Sequence, residues 1–199
     1  MNVILFLSLL LCSQAHAEEI ELPDCSQPVS MDCAGIQKPD GWYCAENCKQ
    51  RVTHASDTLI IGDSTVTGNK WSYDSCAIPG ATLGEIIGKC EFDQHTRVII
   101  SVGVNDALGR TDLGEFYEQY GHLVKNASLR GRDVIVNTIP SYETPNDRID
   151  QFNDVITLVA QEKCAKMLVL NDLQQSDSDD GLHPNKMGYE KWLKKLKKL

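Results

Sequence analysis

The chain has 199 residues, 28 acidic against 19 basic for a formal net charge of −9, and 42% hydrophobic content. That apolar content can build one sizeable core, so a single domain is the expectation. The acidic balance argues against nucleic acid and against anionic membrane surfaces as partners.

Residues 3–11 are apolar and uncharged, and they lead into Ala15-His16-Ala17, the small residues a signal peptidase requires. The run is about half of the roughly 20 residues a membrane-crossing helix needs. Cleavage after Ala17 is the preferred reading, with 1–17 a signal peptide and the mature chain secreted or held in another oxidising exported compartment. Seven cysteines then remain: Cys25, Cys33, Cys44, Cys48, Cys76, Cys90 and Cys164. In an exported protein that density reads as disulfides. The first four fall in a segment without helical or strand period, so 18–55 is read as a cysteine-rich extension ahead of a domain at 56–199. Zinc on Cys44, Cys48 and His54 is the disfavoured rival, because the compartment is oxidising and the spacing fits no common finger. Cys76 and Cys90 bracket a loop at Gly80, and their pairing, which would restrain that loop, is one hypothesis among connectivities that sequence alone does not decide. Cys164, on the approach to a buried strand, is assigned the unpaired thiol.

From residue 58 onward, short runs rich in Val, Ile and Leu alternate with amphipathic stretches. The runs 58–61, 98–102, 134–137 and 167–170, with a shorter one near 76–78, predict about five strands covered on both faces. The stretches 82–88, 113–129 and 147–161 predict helices. In the last, Ile149, Phe152, Ile156 and Val159 recur at helical spacing. The alternation predicts an α/β fold, a parallel sheet with helices on both sides. The basic tail at 191–199 carries Trp192, Leu193, Leu196 and Leu199 on one face. Membrane contact through this helix is conceivable, but a closing helix packed on the sheet is preferred.

Four short motifs follow the predicted strands, where ligands of open parallel sheets bind. Gly62-Asp63-Ser64 supplies a hydroxyl, Ile78-Pro79-Gly80 a glycine N–H, Gly103-Val104-Asn105-Asp106 a side-chain amide, and Asp180-Gly181-Leu182-His183 an imidazole with a carboxylate three residues before it. A serine attacks only when a base removes its proton, and the base needs an orienting group. Ser64, His183 and Asp180 can fill these roles. The N–H groups of Ser64 and Gly80 and the Asn105 amide can hold the oxyanion of a tetrahedral intermediate. Taken singly, Gly-Asp-Ser is an ordinary turn, Pro-Gly another, and Asn105 a helix cap. In this order and strand context they read as one site. Asp177 and Asp179 stand beside Asp180 as alternative acids, and the run 177–180 reads as a solvated loop.

The four blocks resemble the SGNH, or GDSL, hydrolase family, over roughly residues 58–199. The resemblance implies a flavodoxin-like three-layer α/β/α sandwich. It also implies Ser64 as nucleophile, Asp180 and His183 completing the catalytic set, and Ser64, Gly80 and Asn105 forming the oxyanion hole. Thr65 stands where Leu is frequent in the family, and the cysteine-rich extension has no counterpart. The expected activity is a secreted serine esterase working through an acyl-enzyme on Ser64, with neither metal nor cofactor. The resemblance allows small-molecule, glycan or lipid esters as substrates: acetylated carbohydrate, lysophospholipid or short acyl ester. Acyl transfer, or a binding protein on an inactive scaffold, is the alternative. Loops at 65–73, 107–111 and 141–146 are expected to line the substrate pocket.

Overall fold

The computed structural model describes residues 37–38, 41–42 and 56–199, apart from 70, 110 and 143–145. The expected leader, Cys25, Cys33, Cys44, Cys48 and His54 lie outside these residues. Within the expected extension, Gln37–Lys38 (β1) and Gly41–Trp42 (β2) pair as a short antiparallel ribbon.

The five predicted strands are present as β3 (Thr58–Gly62), β4 (Asp74–Ala77), β5 (Arg97–Ser101), β6 (Asp133–Asn137) and β7 (Lys166–Leu168). All pair in parallel, in the order β4-β3-β5-β6-β7. This is the flavodoxin-like order. The chain steps outward from β3 to β4 and then crosses to β5 on the other side, so the topological switch lies beside β3.

Alternation along the strands sends side chains to opposite faces. Leu59, Ile61, Val98 and Ile100 belong to one cluster with residues of α2 (Leu83–Ile86), α4 (Leu113–Ser128) and α5 (Asp147–Glu162). Ile60, Ile99 and Ile135 belong to the other, with Tyr189, Trp192 and Leu196 of α6 (Lys186–Leu196). Two packed faces on one sheet give three layers, as the sequence predicts. The closing helix starts earlier than the tail pattern suggests, because Asn185 caps it by accepting from the Met187 and Gly188 N–H groups at 3.0 and 3.2 Å. Trp192 and Leu196 are buried, whereas Leu199 is 42% exposed and lies outside the packed face.

Other boundaries shift by a few residues. Helix α2 is confined to one turn by Thr82, whose N–H and hydroxyl donate to Glu85 at its start, and Gly88 beyond its end adopts φ of 79°. Strand β7 ends at Leu168, because the Leu170 N–H donates to the Thr138 hydroxyl at 2.8 Å instead of to a ladder carbonyl. One short helix, α1 (Ser64–Thr67), was not anticipated, and α3 (Val104–Leu108) corrects the reading of Asn105 as a helix cap, since Gly103 holds the cap position and Asn105 lies inside the helix.

Of the possible connectivities, the Cys76–Cys90 pairing is present, with Cα atoms 5.8 Å apart. The expectation for Cys164 is corrected: it too is disulfide-bonded. Instead of entering the core with the following strand, Cys164 stands half-buried on the turn between α5 and β7, with φ of 52°.

The packing of α6 makes a direct prediction. Trp192→Ala removes a wholly buried indole and is expected to lower the unfolding free energy by about 3 to 5 kcal/mol in chemical denaturation. A loss of under about 1 kcal/mol would mean that this helix does not seal the sheet.

Candidate active site

Ser64 is the first residue of α1, separated from the end of β3 by Asp63 alone. Asp63 caps the helix, its Oδ1 accepting from the Thr65 N–H at 2.9 Å and the Thr65 hydroxyl at 2.8 Å. The Asp63 carboxyl is raised above its ordinary pKa, because burial outweighs these two bonds. Thr65, where the family pattern favours Leu, is therefore a second anchor for the acid before the serine. Gly62 permits the sharp strand-to-helix turn: a Cβ there would stand 2.1 Å from Val66 Cγ2 and 2.9 Å from the Ser101 carbonyl oxygen.

The far end of α1 is held by aromatic side chains. The Tyr189 hydroxyl donates to the Thr65 carbonyl at 2.6 Å, and Trp71 Nε1–H donates to the Val66 carbonyl at 2.7 Å. These bonds satisfy carbonyls that so short a helix leaves without partners. Trp71 packs edge-on against Tyr189 and Trp192, with ring centroids 5.9 and 5.2 Å apart. The 65–73 loop thus joins the aromatic cluster under Ser64 and is not among the residues lining the cleft described below.

His183 comes to Ser64 from 119 residues away: its Nε2 lies 2.9 Å from Ser64 Oγ. Its Nδ1 lies 2.6 Å from Asp180 Oδ2. The other Asp180 oxygen accepts from the N–H groups of His183 at 2.7 Å and Leu182 at 2.9 Å. Hydrogen bonds from the His183 side chain, then from these backbone groups, hold the Asp180 carboxyl well below the ordinary carboxylate range. An imidazole between a carboxylate and a hydroxyl can take the hydroxyl proton while the carboxylate keeps the ring oriented.

The neighbouring acids are engaged elsewhere. Asp177 is wholly buried, with Oδ2 accepting from the Gln174 N–H at 2.9 Å and paired with Lys191 Nζ at 2.7 Å. Asp179 accepts from the Asn185 side chain at 3.0 Å. The run 177–180 is therefore not uniformly solvated. Its first member anchors the loop because a lysine of α6 reaches it, which sequence spacing alone does not reveal.

Gly80 and Asn105 leave the strands on either side of β3, namely β4 and β5. Gly80 adopts φ of 75°, in the left-handed region, and no heavy atom beyond its own and its chain neighbours' lies within 4 Å of where its Cβ would stand. Asn105 lies in α3, and its side-chain amide donates to the Ala81 carbonyl at 2.9 Å. One further amide hydrogen is available to a ligand. As the first helical residue, Ser64 presents an N–H that has no acceptor within its own helix.

A cleft of about 600 Å³ adjoins the His183 loop, lined in part by Leu182, Leu108, Tyr142, Asn146 and Arg148. The expected loops at 107–111 and 141–146 both contribute. Arg148, which sequence spacing does not single out, extends from the first turn of α5 into the lining. No group of three or more His, Cys, Asp or Glu side chains suited to a metal ion occurs among the described residues.

Comparison with known proteins gives a consistent result. The model of the GDSL-like lipase/acylhydrolase family matches residues 62–191. A multidomain esterase of Ruminococcus flavefaciens is 26% identical across 62% of this chain, a match that spans only 20% of that protein's length. A GDSL-like lipase from Bacteroides thetaiotaomicron superposes with a TM-score of 0.64 at 18% identity, covering 71% of this chain and 85% of the lipase. An acetylxylan esterase from Geobacillus stearothermophilus does so with a TM-score of 0.57 at 16% identity, covering 70% and 91%. At these identities the two structures establish likeness of fold.

The Asp180 environment predicts a pH response. A group whose folded pKa is depressed adds stability above its unfolded value, about 3.9, and that contribution is lost as pH falls through the folded value. The Asp180 carboxyl resonance, followed by NMR, is therefore expected to keep its ionised shift through about pH 3.9. Titration centred near that value would contradict the geometry given for the His183 loop.

Proposed function

Because the chain belongs to the GDSL-like lipase/acylhydrolase family, we propose that it is an exported serine esterase. Its substrates are short acyl esters of hydroxylated carriers, acetylated carbohydrate foremost. The observation that carries the reading is the hydrogen-bonded series Asp180, His183, Ser64, with links of 2.6 and 2.9 Å.

In this mechanism, Ser64 Oγ attacks the ester carbonyl carbon while its proton passes to His183 Nε2. The carbonyl oxygen gains the negative charge, and the Ser64 and Gly80 N–H groups with the Asn105 amide donate to it. Collapse of the intermediate breaks the bond to the alcohol oxygen, which takes the proton from His183 and departs, leaving the acyl group on Ser64. Water then gives its proton to His183 and attacks the same carbon, and a second collapse returns the proton to Ser64 and releases the acid. Asp180 keeps the ring oriented and stabilises the imidazolium in both halves. Losing one donor to such an oxygen typically costs about 2.7 to 4 kcal/mol of barrier.

Two features support the substrate class. The cleft beside Leu182 offers Ser141, Asn146, Asp147 and Arg148 to a hydroxylated alcohol, alongside Leu108 and Ile149. Pockets for long acyl chains are lined predominantly by apolar groups, and this lining is mixed. The acetylxylan esterase with this fold is a precedent for the carbohydrate assignment. Export is supported by the disulfide state of Cys76, Cys90 and Cys164, which fits an oxidising compartment. Removal of 1–17 as a signal peptide, and 18–55 as a separate extension, belong to the same proposal.

A panel of p-nitrophenyl esters from acetate to palmitate, run beside acetylated xylo-oligosaccharides, tests the reading. Acetyl substrates are expected to rank above palmitate in kcat/KM, and Ser64→Ala and His183→Ala each to lower it by about 10⁴-fold or more. Retained activity in Ser64→Ala would overturn the mechanism. A preference for palmitate would overturn the substrate class alone.

A further inference from the structure

Asp106 is wholly buried, and the mechanism above makes no use of it. Both of its oxygens are occupied. Oδ2 accepts from the Leu83 N–H at 2.9 Å, and Oδ1 accepts from the Thr111 hydroxyl at 3.0 Å. Burial pushes its carboxyl above the ordinary carboxylate range, against the lowering effect of these bonds. Keeping an acid in such a place is unfavourable unless its hydrogen bonds are met.

Those bonds join the two segments that carry the proposed oxyanion donors. Leu83 opens α2, three residues after Gly80, and its N–H points to Asp106. In the opposite direction, the Asn105 amide donates to the carbonyl of Ala81, the residue next to Gly80. Two adjacent residues of α3, 105 and 106, thus grip the segment from the end of β4 to the start of α2 at 81 and 83. The chain beyond Asp106 is also held: Arg148 Nε donates to the Ala107 carbonyl at 2.6 Å and Nη2 to the Thr111 carbonyl at 2.7 Å. The Arg148 guanidinium lies over the Phe152 ring, 5.3 Å from its centroid.

We propose that Asp106 is a positioning residue for the oxyanion site, setting the spacing of the Gly80 N–H and the Asn105 amide through its bonds to Leu83 and Thr111. The inference rests on the reading of Gly80 and Asn105 as oxyanion donors. Donors of this kind act only when they meet the oxygen at about 2.7 to 3.1 Å. Displaced donors weaken the transition state more than the bound ester, so the loss falls on kcat and leaves KM little changed.

Asp106→Ala and Asp106→Asn separate spacing from charge. Asparagine keeps a carbonyl acceptor for the Leu83 N–H, and its amide can donate to the Thr111 hydroxyl, which turns to accept. Alanine keeps neither bond. On p-nitrophenyl acetate, the expected kcat of Asp106→Asn is within about 5-fold of wild type, and that of Asp106→Ala is down by about 10²-fold with KM within about 3-fold. Wild-type kcat in Asp106→Ala, or equal loss in both variants, would overturn the proposal. If Asp106→Ala does not fold, Thr111→Val removes one of the two bonds without opening the core. Its kcat is expected to fall severalfold at constant KM, and an unchanged kcat would overturn the proposal. Fluorophosphonate labelling of Ser64 in wild type is measured alongside. Absence of labelling defeats the hydrolase reading itself, whereas labelling with undiminished kcat in Asp106→Ala defeats only this inference.

Discussion

The contact between Ser64 and His183 is the constraint on which the rest of the site depends, since it joins residues 119 positions apart at 2.9 Å. Neither side chain can sustain it alone. The imidazole is positioned by a loop folded back on the start of α6, where Asn185 donates to the Ser176 carbonyl and to Asp179, each at 3.0 Å, while also capping the helix. The Asn185 N–H donates to the Asp177 carbonyl at 2.8 Å. Gly188 makes this approach possible, because a Cβ there would stand 2.4 Å from that carbonyl oxygen. The ion pair between Asp177 and Lys191 closes the loop from beneath. It is anchored by a buried carboxylate, a kind of group whose pairing must stay intact.

The serine is held with equal care from the opposite side. Asp63 and Thr65 fix the start of α1, Trp71 and Tyr189 fix its carbonyls, and the Gly62 turn leaves no room for a side chain. Tyr189 contributes to both halves: it belongs to α6, which carries the His183 loop, and its hydroxyl reaches the Ser64 helix. The sheet face covered by α6 therefore serves the site as well as the core. This explains why a basic amphipathic tail packs inward through Tyr189, Trp192 and Leu196 while its free lysines face solvent.

Much of this was legible in the sequence, and the rest was hidden for physical reasons. Strands covered on both faces appear as Val and Ile runs, so the sheet and the placement of Ser64, Gly80, Asn105 and His183 beyond its carboxyl ends followed from pattern. The separation of Asp180 from His183 suited one loop, and that loop brings the two side chains together. Helices α1 and α3 are a single turn each, too short for any period to register. The burial of Asp177 depends on Lys191, 14 residues on, and the disulfide state of Cys164 on a second cysteine that the fold brings to it, so neither leaves a local signature. Asp106 stood in view within Asn105-Asp106, but its bond to Leu83 spans 23 residues and emerges only when the β4 and β5 loops flank β3.

The most direct test of the central claim is mass spectrometry of the protein quenched during turnover of an activated acetate ester. The account predicts a single acetyl group on the peptide carrying Ser64, formed before steady state and accumulating when hydrolysis is slowed. An acetyl group on another residue, or product formation with no covalent species on Ser64 at any time, would contradict it.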